Sequence, residues 1–268
     1  MKIYAVGDSF TAGSELMDWK YYTDFPGYMT AAQEHVKNQY TEWHKKKPWL
    51  HTLLGGHHSK QFHQAIEEQK NLTYANQLSQ ILDRPVINHG LGGCSLDTIV
   101  RNLTMYLDLA TEPHVVFFQP TNPARWCQYY ENTWRNFIAG NCENNVSVEF
   151  QKWMQLKIVL ENTYSWTMAW WLNIKSALAQ LQTHAMVQDF YILDSGVLTW
   201  IETQIKENEQ EYYRDDLGPR VLKMLDHDIG PRRIKFTYDH DEAVICPGGH
   251  LNHIVHRRLA EELADILK

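Results

Sequence analysis

A short apolar run at residues 2–6, Lys-Ile-Tyr-Ala-Val, passes directly into Gly7-Asp8-Ser9-Phe10-Thr11-Ala12-Gly13-Ser14. The run reads as a buried strand, and the turn-forming residues behind it put the hydroxyl of Ser9 where the strand ends. In open parallel sheets the reactive groups lie beyond the carboxyl ends of the strands, where loops and helix starts carry unpaired backbone N–H groups. A serine hydroxyl so placed points to nucleophilic attack on an acyl carbon. It is a weak nucleophile at neutral pH, so a base within hydrogen-bond reach must take its proton. Negative charge then develops on the carbonyl oxygen, and each donor aimed there lowers the barrier by about 3 kcal/mol. The same residues also describe an ordinary strand-to-helix turn with Asp8 or Ser9 as N-cap.

Three later stretches stand in order behind this one. Residues 88–93 read Asn-His-Gly-Leu-Gly-Gly, residues 115–122 read Val-Val-Phe-Phe-Gln-Pro-Thr-Asn, and Gly249-His250-Leu251-Asn252 precedes a helical pattern. Together with Gly-Asp-Ser-Phe-Thr-x-Gly at the N-terminus, they resemble the four sequence blocks of the GDSL, or SGNH, hydrolase family. The resemblance implies that Ser9 is the nucleophile and His250 its general base, with an oxyanion hole formed by the backbone N–H groups of Ser9 and Gly93 and the side-chain amide of Asn122. Imidazole titrates near pH ~6.5 and can both accept and return the proton. The implied fold is a three-layer α/β/α architecture, doubly wound on a mainly parallel sheet. The implied activity is that of a serine esterase that uses no cofactor and no metal.

The sequence departs from the family pattern twice. An aspartate is expected three residues before the catalytic histidine, to hold the imidazole tautomer, and that position is Pro247. Asp239, Asp241 and Glu242 lie upstream in the same loop and are the candidate replacements; without one, the site is a Ser9–His250 dyad. Losing a triad aspartate can lower kcat by about 10⁴ in a serine protease, so a catalytically dead relative that only binds is a further alternative. In the third block Pro120 stands where the family has glycine, which bears on the loop geometry around Asn122.

The elements that must position these residues are legible from periodicity. Tyr74, Leu78, Ile81 and Leu82 recur at helical spacing, and Asp83-Arg84-Pro85 ends that helix. Residues 85–88 read as a second strand. Ser95 is placed to cap a helix whose apolar face is Leu96, Ile99, Val100, Leu103 and Leu107. Residues 114–118 form an apolar run suited to the centre of a parallel sheet. A long helix over residues 148–185 carries a tryptophan stripe, read as core, and breaks near Thr163. Residues 189–193 and 234–237 are further strands, residues 199–230 are polar and helical with a turn at 215–219, and residues 253–267 close the chain as a helix.

Strand, glycine loop and helix thus alternate as one doubly wound domain over residues 1–268, with two insertions. The first, at about 15–70, is rich in aromatics and histidines (His35, His44, His51, His57, His58, His63) and reads as a candidate lid with one or two short helices. Its histidine spacings match no strong metal template. The second, at about 123–162, places Trp126, Tyr129, Tyr130 and Trp134 in a loop close behind Asn122. Trp126 and Tyr129 are the candidate substrate-binding residues, since aromatic rings stack on sugars.

With 268 residues and a net charge of -7, the chain offers no general attraction to nucleic acid or an anionic membrane surface. No apolar run reaches the length of a membrane span, and no signal peptide precedes the first strand, so a cytoplasmic protein is expected. Cys94, Cys127, Cys142 and Cys246 are widely spaced and read as free thiols. The expected substrate is a small-molecule or carbohydrate ester with a short, acetyl-type acyl group. A thioesterase or lysophospholipase-like activity is the alternative within hydrolases.

Overall fold

A computed structural model describes residues 2–13, 16, 55–56, 58–123, 125–130, 133–138, 147–160, 163–207, 216–236 and 253–268. In chain order the elements begin with β1 (Lys2–Gly7), α1 (Ser9–Ala12), α2 (Lys60–Leu72), α3 (Tyr74–Leu82), β2 (Val86–Gly90) and α4 (Leu96–Asp108). Next come β3 (His114–Phe118), β4 (Arg125–Tyr130), β5 (Thr133–Ile138), α5 (Val148–Leu160), α6 (Thr163–Thr183) and β6 (Val187–Asp194). The chain finishes with α7 (Val197–Glu207), α8 (Leu217–Lys223), a π-helical segment (Met224–Ile229), a 3-10 turn (Gly230–Arg232), β7 (Arg233–Lys235) and α9 (His253–Ile266). They fall into two compact units, Met1–Asp8 with Gly93–Phe236, and Ser9–Gly92 with Thr237–Lys268.

In the first unit β1, β3, β6 and β7 lie side by side and parallel, in register through Val6↔Phe118, Phe118↔Ile192 and Ile192↔Arg233. Val6, Val116, Phe118, Phe190 and Ile192 are buried on one face, and Ile3, Ala5, Val115, Phe117 and Leu193 are buried on the other. A sheet buried on both faces needs near-continuous apolar strands, which is why residues 114–118 carry no polar alternation. The first of these faces is covered by helices whose apolar residues recur every three or four positions: Leu96, Ile99, Leu103 and Leu107 of α4, Trp170, Ile174 and Leu181 of α6, and Leu198, Ile201 and Ile205 of α7. Fully burying each such aliphatic side chain is worth roughly 1.5–3 kcal/mol. The α/β reading with a parallel sheet therefore holds.

Several local expectations change. Residues 126–130 and 133–134 are strand rather than loop: β4 and β5 pair antiparallel in register from Arg125↔Ile138 to Tyr130↔Thr133. Aromatic and β-branched residues fit a pleated surface. The long helix divides as expected, into α5 and α6, but the tryptophan stripe is not uniformly core, since Trp170 is buried while Trp153 is 40% exposed. The turn expected at 215–219 does not reach past Asp216, because α8 starts at Leu217; Gly218 and Pro219 lie in its first turn, where the missing N–H of proline costs no helical hydrogen bond. The last strand is Arg233–Lys235 rather than 234–237.

In the second unit α3 packs against α9 through buried Tyr74, Ala75 and Leu78 on one helix and Val255, Leu259 and Leu263 on the other. Thr73 caps α3 by accepting from the Asn76 N–H, and Asp83 ends it in the left-handed conformation. Of the first insertion, α2 is described; residues 17–54, with His35, His44 and His51, lie outside the described residues.

Candidate active site

The loop leaving β3 is fastened to the carboxyl end of β1. The Gln119 N–H donates to the Val6 carbonyl at 2.8 Å, and the Thr121 hydroxyl donates to Asp8 Oδ2 at 2.9 Å. From the other side the Trp170 indole Nε1–H donates to the Thr121 carbonyl at 2.9 Å. Pro120, Thr121 and Pro123 are buried, and Asn122 between them is exposed. Pro120 thus takes a buried place in a loop held by its neighbours' hydrogen bonds. Arg125 Nη1 lies 3.7 Å from Asp8 Oδ2 and is buried, without a hydrogen-bond acceptor among the described residues. At that distance the guanidinium acts on Asp8 as a nearby charge rather than as a hydrogen-bond donor.

Gly93, at the start of the loop leading to α4, has φ +72, and a Cβ built there would meet nothing within 4 Å. Its glycine is required by the backbone conformation and not by lack of space. The next residue, Cys94, is buried, and its thiol is pushed up to about 12 by that burial first and by the Asp8 carboxylate second. A thiol so shifted stays protonated, so Cys94 is no competing nucleophile.

A cavity of about 220 Å³ opens beside this loop, lined by Asp97, Pro123, Arg125, Trp166, Trp170 and Asn173 among others. Asp97 accepts from Ser95 Oγ and lies 3.6 Å from Arg101 Nη2. Ser95 stands at the N-cap of α4 but turns its hydroxyl to Asp97 and Thr98 instead of capping the backbone. Asp97, Arg125, Trp166 and Asn173 had no motif to mark them in the sequence; only the folding of α4, β4 and α6 brings them to one cavity. Trp126 and Tyr129 lie on β4, and their side chains are outside the described residues.

In the second unit Ser9 is the first residue of α1 and is 5% exposed. It follows Asp8 directly in the chain. Phe10 stacks on His256 with ring centroids 4.2 Å apart and on Tyr74 at 5.9 Å. The Tyr74 backbone N–H donates to His256 Nδ1 at 3.0 Å, so that nitrogen carries no proton and the neutral ring holds its proton on Nε2. Asn88 completes the support: its Nδ2 donates to the Thr11 carbonyl at 2.8 Å, while its Oδ1 accepts from the Gly90 N–H at 2.8 Å. A Cβ on Gly90 would overlap the backbone of Thr11 and Ala12. Asn88 and Gly90 of the second sequence block therefore hold α1 close to β2, a role the sequence reading had not given them. His256 is likewise new; in sequence it is one more polar residue of an amphipathic helix.

Ser9 thus belongs to the second unit, Gly93 and Asn122 to the first. His250, Asp239, Asp241, Glu242 and Pro247 lie outside the described residues. Among the described residues no three His, Cys, Asp or Glu side chains gather as a metal site. Among them, too, no helix is long and apolar enough to cross a membrane.

No family model and no curated protein sequence matches the chain. Solved structures similar to it include a protein described as lipolytic, of the G-D-S-L family, from Desulfitobacterium hafniense DCB-2, at 14% identity and TM-score 0.44 over 99% of this chain and 98% of that one. A member of the lipolytic G-D-S-L family from Veillonella parvula DSM 2008 is similar at 13% identity and TM-score 0.45, covering 99% of this chain and 97% of that one. A carbohydrate esterase family 2 enzyme with a carbohydrate-binding domain, from Corynascus thermopiles (Myceliophthora fergusii), is similar at 14% identity and TM-score 0.44, covering 99% and 64%. At these values the likeness transfers neither activity nor residue roles.

Proposed function

We propose that residues 1–268 form one hydrolase domain, a serine esterase that removes short, acetyl-type acyl groups, with a carbohydrate alcohol as the favoured substrate class. The observation that carries this reading is the Thr121–Asp8 hydrogen bond, which ties the loop bearing Asn122 to the residue immediately before Ser9. Ser9 Oγ attacks the ester carbonyl as His250 takes its proton. The Ser9 and Gly93 N–H groups and the Asn122 amide meet the oxyanion, and the alcohol leaves with the proton from His250. Water activated by His250 then releases the acyl group from Ser9. The carbohydrate reading is supported by the chemistry of the first unit's cavity, where Trp166, Asp97 and Asn173 are the kinds of side chain that meet sugar rings and hydroxyls. With Pro247 in place of the orienting acid, the site is read as a Ser9–His250 dyad; single substitutions of Asp239, Asp241 and Glu242 are then expected to leave kcat within a few-fold of wild type. A loss of about 10²-fold at one of them would identify it as the replacement acid.

The test is hydrolysis of p-nitrophenyl esters of increasing acyl length by the purified protein. Turnover should be highest with acetate and fall with longer chains. No turnover at any length would favour a protein that only binds, and a preference for long chains would favour the lysophospholipase-like alternative.

A further inference from the structure

We infer that a second site, formed by α6, α8 and the π-helical segment, binds a phosphate-type oxyanion. Lys175, Arg220, Lys223, Asp228, Trp171 and Met224 line a cavity of about 240 Å³. Three cations face one carboxylate there, in a chain whose net charge is -7. The imbalance is local and unneutralised: among the described residues no side-chain hydrogen bond or ion pair is made by Arg220, Lys223 or Asp228, and Lys175 only places its Nζ 4.8 Å from the centre of the Trp171 ring.

Basic residues at the end of a helix are commonly explained by the helix dipole. That explanation fails here, because α8 does not end at Lys223. Its backbone continues without a break into the π-helical segment, with the Met224 N–H bonded to the carbonyls of Arg220 and Val221. A π-helical turn is a rare and less favourable arrangement, retained mostly at functional sites. Trp171, whose ring lies under the Lys175 ammonium, has an indole Nε1–H that is buried and, among the described residues, lacks an acceptor. A planar guanidinium and two ammonium groups outnumber the single carboxylate of Asp228 in the lining. That excess of cationic donors suits a tetrahedral oxyanion of high charge.

Like-charged side chains at i and i+3 repel when unoccupied, so Arg220 and Lys223 also gain from a bound anion what they lose beside one another. Nothing in the proposed ester chemistry uses these residues, and the site does not depend on that reading.

The experiment is a titration of the whole chain with inorganic phosphate at ionic strength held constant with sodium chloride, followed by thermal stability and intrinsic tryptophan fluorescence. Phosphate should raise the melting temperature saturably, and the apparent affinity should fall at least tenfold in R220Q/K223Q. W171F should lose part of the fluorescence change. K175Q, an independent variant on a different helix, should also weaken binding several-fold. Vesicles of phosphatidic acid in phosphatidylcholine distinguish the source: co-sedimentation abolished by R220Q/K223Q, without saturable binding of free phosphate, would place the oxyanion on a lipid headgroup. A phosphate effect equalled by chloride, or binding of both probes unchanged in R220Q/K223Q and in K175Q, would overturn the proposal.

Discussion

Thr121 and Asp8, 113 residues apart in sequence, are joined by a buried hydrogen bond of 2.9 Å. Asp8 is 9% exposed and Thr121 not at all, so the bond is shielded from water and its loss would leave a buried carboxylate short of a donor. The bond also fixes the neighbour of Asn122, which makes Thr121 a positioning residue in the proposed mechanism.

Thr121→Val keeps the shape and removes the donor. It should destabilise the protein by about 1–3 kcal/mol and lower kcat more than it raises KM. Asn122→Ala, on an exposed side chain, should lower kcat by about 10²-fold or more with little change in stability. Thermal melts and steady-state kinetics of the pair separate the two roles: equal kcat for Asn122→Ala and wild type would mean that the amide does not meet the oxyanion.

Gly90→Ala tests the support of α1. The added methyl would overlap the Thr11 and Ala12 backbone, which cannot move away as a flexible side chain would. The expected cost is about 3 kcal/mol, measured by denaturant unfolding, with a soluble but markedly less stable protein. A stability within 0.5 kcal/mol of wild type, the ordinary range for a surface change at about that size, would show that α1 is not held in this way.

Burial lowers the pKa of His89, of His114 and of His253. A histidine depressed in the folded state binds its proton more readily in the unfolded chain. Above the unfolded value of about 6.5 both states are neutral and nothing is contributed; as pH falls below it, the unfolded state gains protons first and folding weakens. Denaturant midpoints measured from pH 7.5 to 5 should therefore fall toward the acid end. His114→Asn should flatten part of that slope, because His114 has a buried Nε2 with no hydrogen-bond partner among the described residues and cannot easily accept a proton there.

The strands were readable where the sheet buries them completely. His114–Phe118 was read to the residue because both faces demand apolar side chains, and α3 and α4 because a single face does so at helical spacing. The β4–β5 pair was missed because aromatics directly behind Pro123 carry no alternation of apolar and polar residues to announce a strand. The start of α8 was missed because Gly218 and Pro219 break structure in most settings but are tolerated in a first helical turn. At the candidate site the motifs supplied Ser9, Gly93 and Asn122. They could not supply the contacts that hold them, since Asp8–Thr121, Asp8–Arg125 and Tyr74–His256 join residues far apart in the chain and depend on the fold for their meaning.

The most direct measurement is covalent labelling of Ser9 by a fluorophosphonate probe, which reacts only with a serine whose hydroxyl is activated by a base. The wild-type protein should be labelled in a time-dependent way, with the probe mapped by mass spectrometry to the peptide containing Ser9, and Ser9→Ala should take up none. Labelling that persists in a folded Ser9→Ala variant, or a folded wild type that the probe does not modify at all, would contradict the assignment of Ser9 as the nucleophile.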